Sequence, residues 1–148
     1  MANTYQQRQG QGYRGGRDDR PDPIDTSLIQ LKTIKADLFD NVAQNAATTI
    51  ADNRNSNKPT QLRRFYDEIV LWESKVNQQP EKFEEYLPFI RMINAKVAYA
   101  LGRKLVDPNF VKLINDGLRQ VDSVDTMRHF KLFMEAFMGF YKEKRPKD

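Results

Sequence analysis

The stretch SVDTMRHFKLFMEAFMGFYKE, residues 123–143, carries a large apolar side chain at every third or fourth position. An α-helix makes one turn in about 3.6 residues, so this spacing aligns those side chains along one face of a long helix. Ser123 precedes the pattern, and serine readily accepts hydrogen bonds from the free N–H groups of a first helical turn. The apolar face comprises Met127, Phe130, Phe133, Met134, Phe137 and Tyr141. A face this large and aromatic has to be covered by other elements, which predicts a folded helical core.

The same periodicity recurs upstream of this helix. Asp107 and Pro108 form a start signal for the preceding helix, because Asp caps a first turn and Pro suits the first helical position. Another helix is predicted over about residues 81–105. Pro88 bends or splits it, since proline lacks the N–H that a helix interior needs. Two adjacent helices therefore lead into the aromatic one.

The first two helices are predicted over about residues 34–51 and from Pro59–Thr60 to the sequence NQQP, with Thr60 as the cap of the second. A polar loop, DNRNSNKP, separates them. Strand-like alternation of apolar and polar residues is rare along the chain. The sequence therefore predicts an all-α fold, a compact bundle of about five helices.

Both ends of the chain lack the helical pattern. Residues 1–27 are rich in Gly, Arg and Gln and poor in apolar side chains, which predicts a disordered tail. Residues 28–143 are predicted to form a single helical domain, and residues 144–148 a charged C-terminal tail. The segment GYRGGR resembles Arg–Gly-rich tails that bind RNA. The alternative is a solvated tail, because nearby aspartates offset its arginines.

Composition excludes several classes of protein. Of 148 residues, 39% are hydrophobic and 30% charged, with a formal net charge of +4. No apolar run is long enough for a membrane helix and no secretory signal begins the chain, so no membrane partner is expected. The absence of cysteine excludes disulfides and thiolate metal ligands and fits a cytoplasmic location. The positive excess favours a polyanionic partner if the basic side chains cluster.

No catalytic constellation is visible. His129 is the single histidine, and it is predicted to be an ordinary boundary residue. The neighbouring carboxylates Asp67–Glu68 and Glu84–Glu85 diverge by about 100° on a helix, so both pairs are predicted to be solvated surface. No glycine-rich phosphate loop and no metal-ligand spacing occur. The sequence predicts a protein that is not an enzyme and needs no cofactor or metal.

The stretch RMINAKVAYALGRK, residues 91–104, carries a second stripe opposite its core stripe. Met92, Lys96, Tyr99 and Arg103 recur at helical spacing, with Lys104 beside the end of the stripe. Cations that meet phosphates and an aromatic ring that stacks on bases suit sequence-independent contact with RNA. A subunit interface or ordinary surface are the alternatives.

Three cations occur at the start of the second helix: Lys58, Arg63 and Arg64. The helix macrodipole favours anions at this end, so these cations do not stabilise the helix. They do suit an anion site, because free backbone N–H groups add to their charge. A solvated basic edge is the alternative. A secondary set of candidate RNA contacts comprises Arg91, Lys112, Arg119, Arg128 and Lys131.

The segment KPTQLRRFYDEI resembles the motif that opens a helix in the small subunit of type III-A CRISPR effector complexes, the Csm complex. RMINAKVAYALGRK and HFKLFMEAFMGFYKE are similar to two further segments of that family, in the same order, over about residues 34–143. The resemblance implies a small helical protein, present in several copies, that lines the guide and target RNA and contacts the RNA backbone without catalysis. Its motif residues would be Arg63, Arg64 and Arg103. The N-terminal tail lies outside the resemblance.

The expected partners are therefore guide or target RNA, other Csm subunits and copies of the protein itself. The rival hypothesis is a purely structural assembly subunit that does not contact RNA. Arginine and aromatic residues are enriched at protein interfaces too, so composition does not separate the two. A small nuclease is a third possibility, and it predicts metal-dependent loss of RNA.

Overall fold

The computed structural model describes residues 22–147, which are helical with short connections and contain no strand. The helices are α1 (Ala43–Ala51), α2 (Pro59–Gln78), α3 (Phe83–Arg91), α4 (Ile93–Gly102), α5 (Pro108–Arg119) and α6 (Val124–Lys144). A π-helical turn, Leu38–Val42, leads into α1, and a 3₁₀ turn, Pro80–Lys82, leads into α3. The predicted all-α fold is confirmed. The third predicted helix is divided at Met92 into α3 and α4, one turn after Pro88.

The core is organised around α6, which packs against α1 and α2, while α4 packs against α5. Phe130, Phe133, Phe137 and Tyr141 are each at most 1% exposed, so the aromatic face is fully covered as predicted. Burying such a side chain contributes on the order of 2–3 kcal/mol relative to leaving it in water. Gly117 on α5 permits the close approach to this face, because a Cβ there would lie 2.4 Å from the Phe130 ring.

Two of the three predicted helix caps are confirmed. The Asp107 side chain accepts a hydrogen bond from the Phe110 backbone N–H at the start of α5. Ser123 forms a capping box with Thr126 at the start of α6. The predicted Thr60 cap is wrong, because α2 begins one residue earlier, at Pro59. The extended residue Lys58 occupies the capping position and makes no side-chain cap bond.

The disorder predicted for residues 1–27 is wrong for residues 22–27, and its remainder lies outside the described residues. Ile24 is buried, and its backbone N–H donates to Asn109 Oδ1 at 2.9 Å. The Thr26 hydroxyl donates to Asp116 at 2.6 Å. Burial alone would raise the pKa of Asp116, but hydrogen bonds from Thr26 and Lys112 outweigh it and hold that pKa below its usual value. This segment is therefore anchored along α5.

The C-terminal end of α6 closes the fold through Asn57, a fully buried residue in the α1–α2 loop with a φ of 60°. The Asn57 carbonyl accepts hydrogen bonds from the Tyr141 hydroxyl and the Arg145 guanidinium. The Asn57 side chain accepts from the Asp107 backbone N–H and donates to the Ile50 carbonyl. The charged tail predicted for residues 144–148 is therefore wrong at its start, because α6 ends at Lys144 and Arg145 is 3% exposed.

Candidate nucleic-acid interface

Two contacts set the relative direction of α2 and α4, which run antiparallel. Lys96 Nζ on α4 is 2.8 Å from Glu68 Oε2 on α2. Beyond the ends of the two helices, the Asn57 backbone N–H donates to the Leu105 carbonyl at 3.1 Å. The direction from Glu68 back to Asn57 on the α2 side is therefore the same as the direction from Lys96 forward to Leu105 on the α4 side. The first turn of α2 and the last turn of α4 therefore share one end of the molecule.

Helical geometry then brings most of the predicted basic residues onto one surface. Arg64 lies one turn before Glu68 on the same side of α2. Tyr99 and Arg103 lie one and two turns after Lys96 on α4, and each turn advances about 6 Å in the same direction. Arg64 consequently comes alongside the Tyr99 turn. The α2–α4 face comprises Lys58, Arg64, Lys96, Tyr99, Arg103 and Lys104.

The side chains of this face are largely available to a partner. Tyr99 is 69% exposed, and the Arg103 guanidinium carbon lies 5.9 Å from the centre of its ring. Arg64 is exposed and makes no ion pair or hydrogen bond with the part of the chain that the structure describes. Lys96 differs, because Glu68 neutralises much of its charge. Glu68, predicted to be solvated surface, is instead a structural partner: its carboxylate also accepts from the Trp72 indole N–H.

Lys104 has an unusual backbone conformation. Its φ is 62°, in the left-handed region that glycine adopts most easily. The Lys104 N–H donates to the Leu101 carbonyl and the Leu105 N–H to the Ala100 carbonyl, which closes α4 in a Schellman motif. A non-glycine residue here costs on the order of 1 kcal/mol. A cation is therefore found at a position where glycine would make the fold more stable.

Arg63 is separated from the α2–α4 face. It is one position, or about 100°, away from Arg64 and is turned toward α6. There it lines a cavity with Met138, Gly139 and Lys142, and its Nε lies 4.0 Å from Asp67. The three cations predicted to cluster at the start of α2 thus lie on two different surfaces.

Each residue of the secondary set has a partner within the fold. Arg91 Nη2 donates to the Val121 carbonyl at 3.1 Å. Lys112 and Arg119 both pair with Asp116, at 2.9 and 3.2 Å. The remaining two form pairs along α6: Arg128 with Asp125 and Lys131 with Glu135. Helix-surface pairs of this kind contribute a few tenths of a kcal/mol, and they bring none of the five onto the α2–α4 face.

Sequence reasoning missed an aromatic cluster between α2 and α3. Trp72 is half-buried and stacks on Phe89 with ring centres 5.8 Å apart. Tyr86 packs on the same indole ring at 5.8 Å. Phe89, Met92 and Leu71 are each more than half exposed. The signal in the sequence was Pro88, one turn before the point where the predicted helix divides at Met92.

Residues 22–147 contain no cluster of His, Cys, Asp and Glu that could hold a metal ion. None of the helices in that range is long and apolar enough to cross a membrane. His129 lies at the boundary of the core, where its Nδ1 is 2.6 Å from the Leu31 carbonyl oxygen, which agrees with the predicted boundary role.

A protein-family model described as Csm2 Type III-A matches residues 33–147, which is most of the chain. This range contains every residue of the α2–α4 face and excludes the N-terminal tail. No curated protein and no solved structure matches the chain.

Proposed function

The chain belongs to the Csm2 Type III-A family and is a small subunit of a type III-A CRISPR complex, and from that premise we propose that its α2–α4 face binds the backbone of the guide or target RNA. It does so without reading sequence and without catalysis. Base pairing between guide and target supplies sequence recognition, while the protein holds the strand in place.

The observation that carries this proposal is the antiparallel pairing of α2 and α4. It supports a continuous strip that holds Arg64, Arg103 and Lys104 beside an exposed Tyr99 ring. Cations spaced along a strip suit successive phosphates, and an exposed aromatic ring suits an unpaired base. The cation at the strained Lys104 position gives further support, because stability alone would favour glycine there.

The test of this function is a titration of the full chain with two single-stranded RNAs of unrelated sequence. Each phosphate contact gives a slope of about −0.7 in a plot of log affinity against log salt. Four contacts, from Lys58, Arg64, Arg103 and Lys104, predict a slope near −2.8. Affinity should therefore fall about 50-fold when salt rises fourfold, from about 50 to 200 mM. Equal slopes for both RNAs are expected, and a slope near zero contradicts the proposal.

The second candidate function is a purely structural one, assembly with other Csm subunits and with copies of this chain. The exposed side chains around Trp72 favour it: Leu71, Phe89 and Met92 form an apolar patch of the kind that protein interfaces cover. We propose that this patch packs against a neighbouring subunit while the α2–α4 face meets RNA. An assembly role alone predicts no RNA binding in the titration above.

Replacing Lys104 by glycine is expected to stabilise the protein and weaken its binding to RNA. Relief of the left-handed conformation should raise the free energy of unfolding by about 0.5–1 kcal/mol. Loss of one phosphate contact should make the salt slope shallower by about 0.7. Urea unfolding and the RNA titration measure the two effects. If Lys104→Gly leaves the RNA affinity unchanged, Lys104 is not part of the RNA interface.

We propose that the protein acts in the cytoplasm, which its lack of cysteine supports. We also propose that it carries out no chemistry itself, in keeping with a family of structural small subunits.

A further inference from the structure

A cavity of about 390 Å³ lies between α2 and α6, on the side of α2 that Arg63 faces. One wall is the start of α2 and the other is the last turns of α6. The lining residues are Pro59, Thr60, Arg63, Tyr66, Met138, Gly139, Tyr141 and Lys142. Apart from Arg63, none of them belongs to a surface predicted from the sequence. The cavity is therefore a second feature, distinct from the α2–α4 face.

The rim of the cavity is positively charged. Arg63 contributes from α2 and Lys142 from α6, and no acidic residue is among the described lining residues. Arg63 keeps most of its donors, since Asp67 lies 4.0 Å from its Nε and both side chains are more than 60% exposed. Lys142 donates one hydrogen bond to the Pro146 carbonyl and has two further protons. A bound anion would compensate two cations that face one opening from different helices.

Part of the cavity lining is apolar. The Tyr66 ring and the Met138 thioether are both half-buried and pack against the core. The Tyr66 hydroxyl does not repel an anion, because a tyrosine is neutral near pH 7 and burial only raises its pKa further. Tyr141 is fully buried and its hydroxyl is bonded to Asn57, so it lies behind the cavity wall and offers no polar group to an occupant. Aromatic and thioether surfaces are good partners for a planar ring.

Gly139 supplies an independent observation. It lies inside α6, where glycine is the least favourable residue after proline. A Cβ at Gly139 would meet no heavy atom within 4 Å, so packing within the chain does not require glycine there. Gly117 is the contrasting case, because a Cβ there would collide with Phe130. The missing side chain at Gly139 instead keeps the cavity open, as an occupant would need.

We propose that this cavity binds one nucleoside monophosphate unit, with its base on Tyr66 and Met138 and its phosphate between Arg63 and Lys142. An aromatic ring and a thioether beside two cations match a planar base joined to a dianion. The volume lies in the lower part of the range of about 300–1,000 Å³ that small-molecule pockets span. The unit comes either from a free nucleotide or from an RNA strand.

The experiment is calorimetric titration of the full chain with AMP, adenosine and inorganic phosphate. We expect AMP to bind at least about 10-fold more tightly than adenosine or inorganic phosphate, because only AMP contacts both the apolar lining and the two cations. Gly139→Leu fills the cavity and should weaken AMP binding at least about 10-fold. Gly102→Leu is the matched control, because Gly102 is also helical and a Cβ there also meets no heavy atom within 4 Å. This variant should bind AMP as tightly as the wild type does.

Arg63→Gln should also weaken AMP binding about 10-fold, whereas Lys82→Gln, an exposed cation in the 3₁₀ turn before α3, should leave it unchanged. Displacement of AMP by an RNA hexamer identifies the occupant as part of a strand, and failure to displace it identifies a free nucleotide. No saturable AMP binding, phosphate binding as tightly as AMP, or full binding by Gly139→Leu would each overturn the proposal. Its failure is separable from that of the RNA face, because Arg64 and Arg103 do not line the cavity.

Discussion

Reversing two charges on the α2–α4 face, with Arg64→Glu and Arg103→Glu combined, is expected to weaken single-stranded RNA binding about 60-fold at a salt concentration of about 50 mM. Each arginine supplies one phosphate contact, and each contact contributes about 0.7 to the slope of log affinity against log salt. The loss should therefore shrink to about 10-fold at about 200 mM salt. RNAs of unrelated sequence should be affected equally, because the contacts are to the backbone.

The matched control carries the same change in net charge at other sites. Lys35 and Lys82 are exposed cations that lie before α1 and before α3, outside the α2–α4 face. Lys35→Glu with Lys82→Glu should leave the salt slope within about 0.3 of the wild-type value. If both double variants weaken binding equally, the effect comes from overall charge and the α2–α4 face is not the binding site. Thermal unfolding checks that both variants remain folded.

Replacing Asn57 by alanine is expected to destabilise the protein by about 2–4 kcal/mol. The change leaves the buried Asp107 N–H without the acceptor that Asn57 Oδ1 provides at 2.9 Å, which costs about 1–3 kcal/mol. It also places alanine at a φ of 60°, which costs about 1 kcal/mol more. For a chain of this length the midpoint of thermal unfolding should fall by about 5–15 °C.

Asn57→Gly separates the two causes of that loss. Glycine adopts the same φ without strain but lacks the side-chain hydrogen bonds, so it should be more stable than the alanine variant by about 1 kcal/mol and remain below wild type. Urea unfolding of the two variants measures the difference. An alanine variant within about 0.5 kcal/mol of wild type would show that Asn57 does not join the loops as described.

The aromatic cluster around Trp72 and the cavity beside Arg63 are two features that the sequence did not predict. Periodicity indicates which side of a helix faces the core, and it identified the stripes on α4 and α6. It does not indicate which helix lies beside which. The separation of Arg63 from Arg64 follows from the positions of α6 and α4 on different sides of α2. Glu68 was misassigned for the same reason, because its partner Lys96 is 28 residues away.

The sequence by itself determined the all-α fold, the approximate positions of α2, α5 and α6 and the caps at Asp107 and Ser123, whereas the first helix begins later than the predicted residue 34 and the predicted 81–105 helix is divided. Each of these depends on neighbours within one or two turns, so the local pattern contains the cause. Only the tertiary structure decided the anchoring of residues 22–27, the burial of Arg145 and the alignment of the α2–α4 face. Those features depend on contacts such as Ile24 with Asn109, between residues 85 positions apart, and such contacts exist only after the helices have packed.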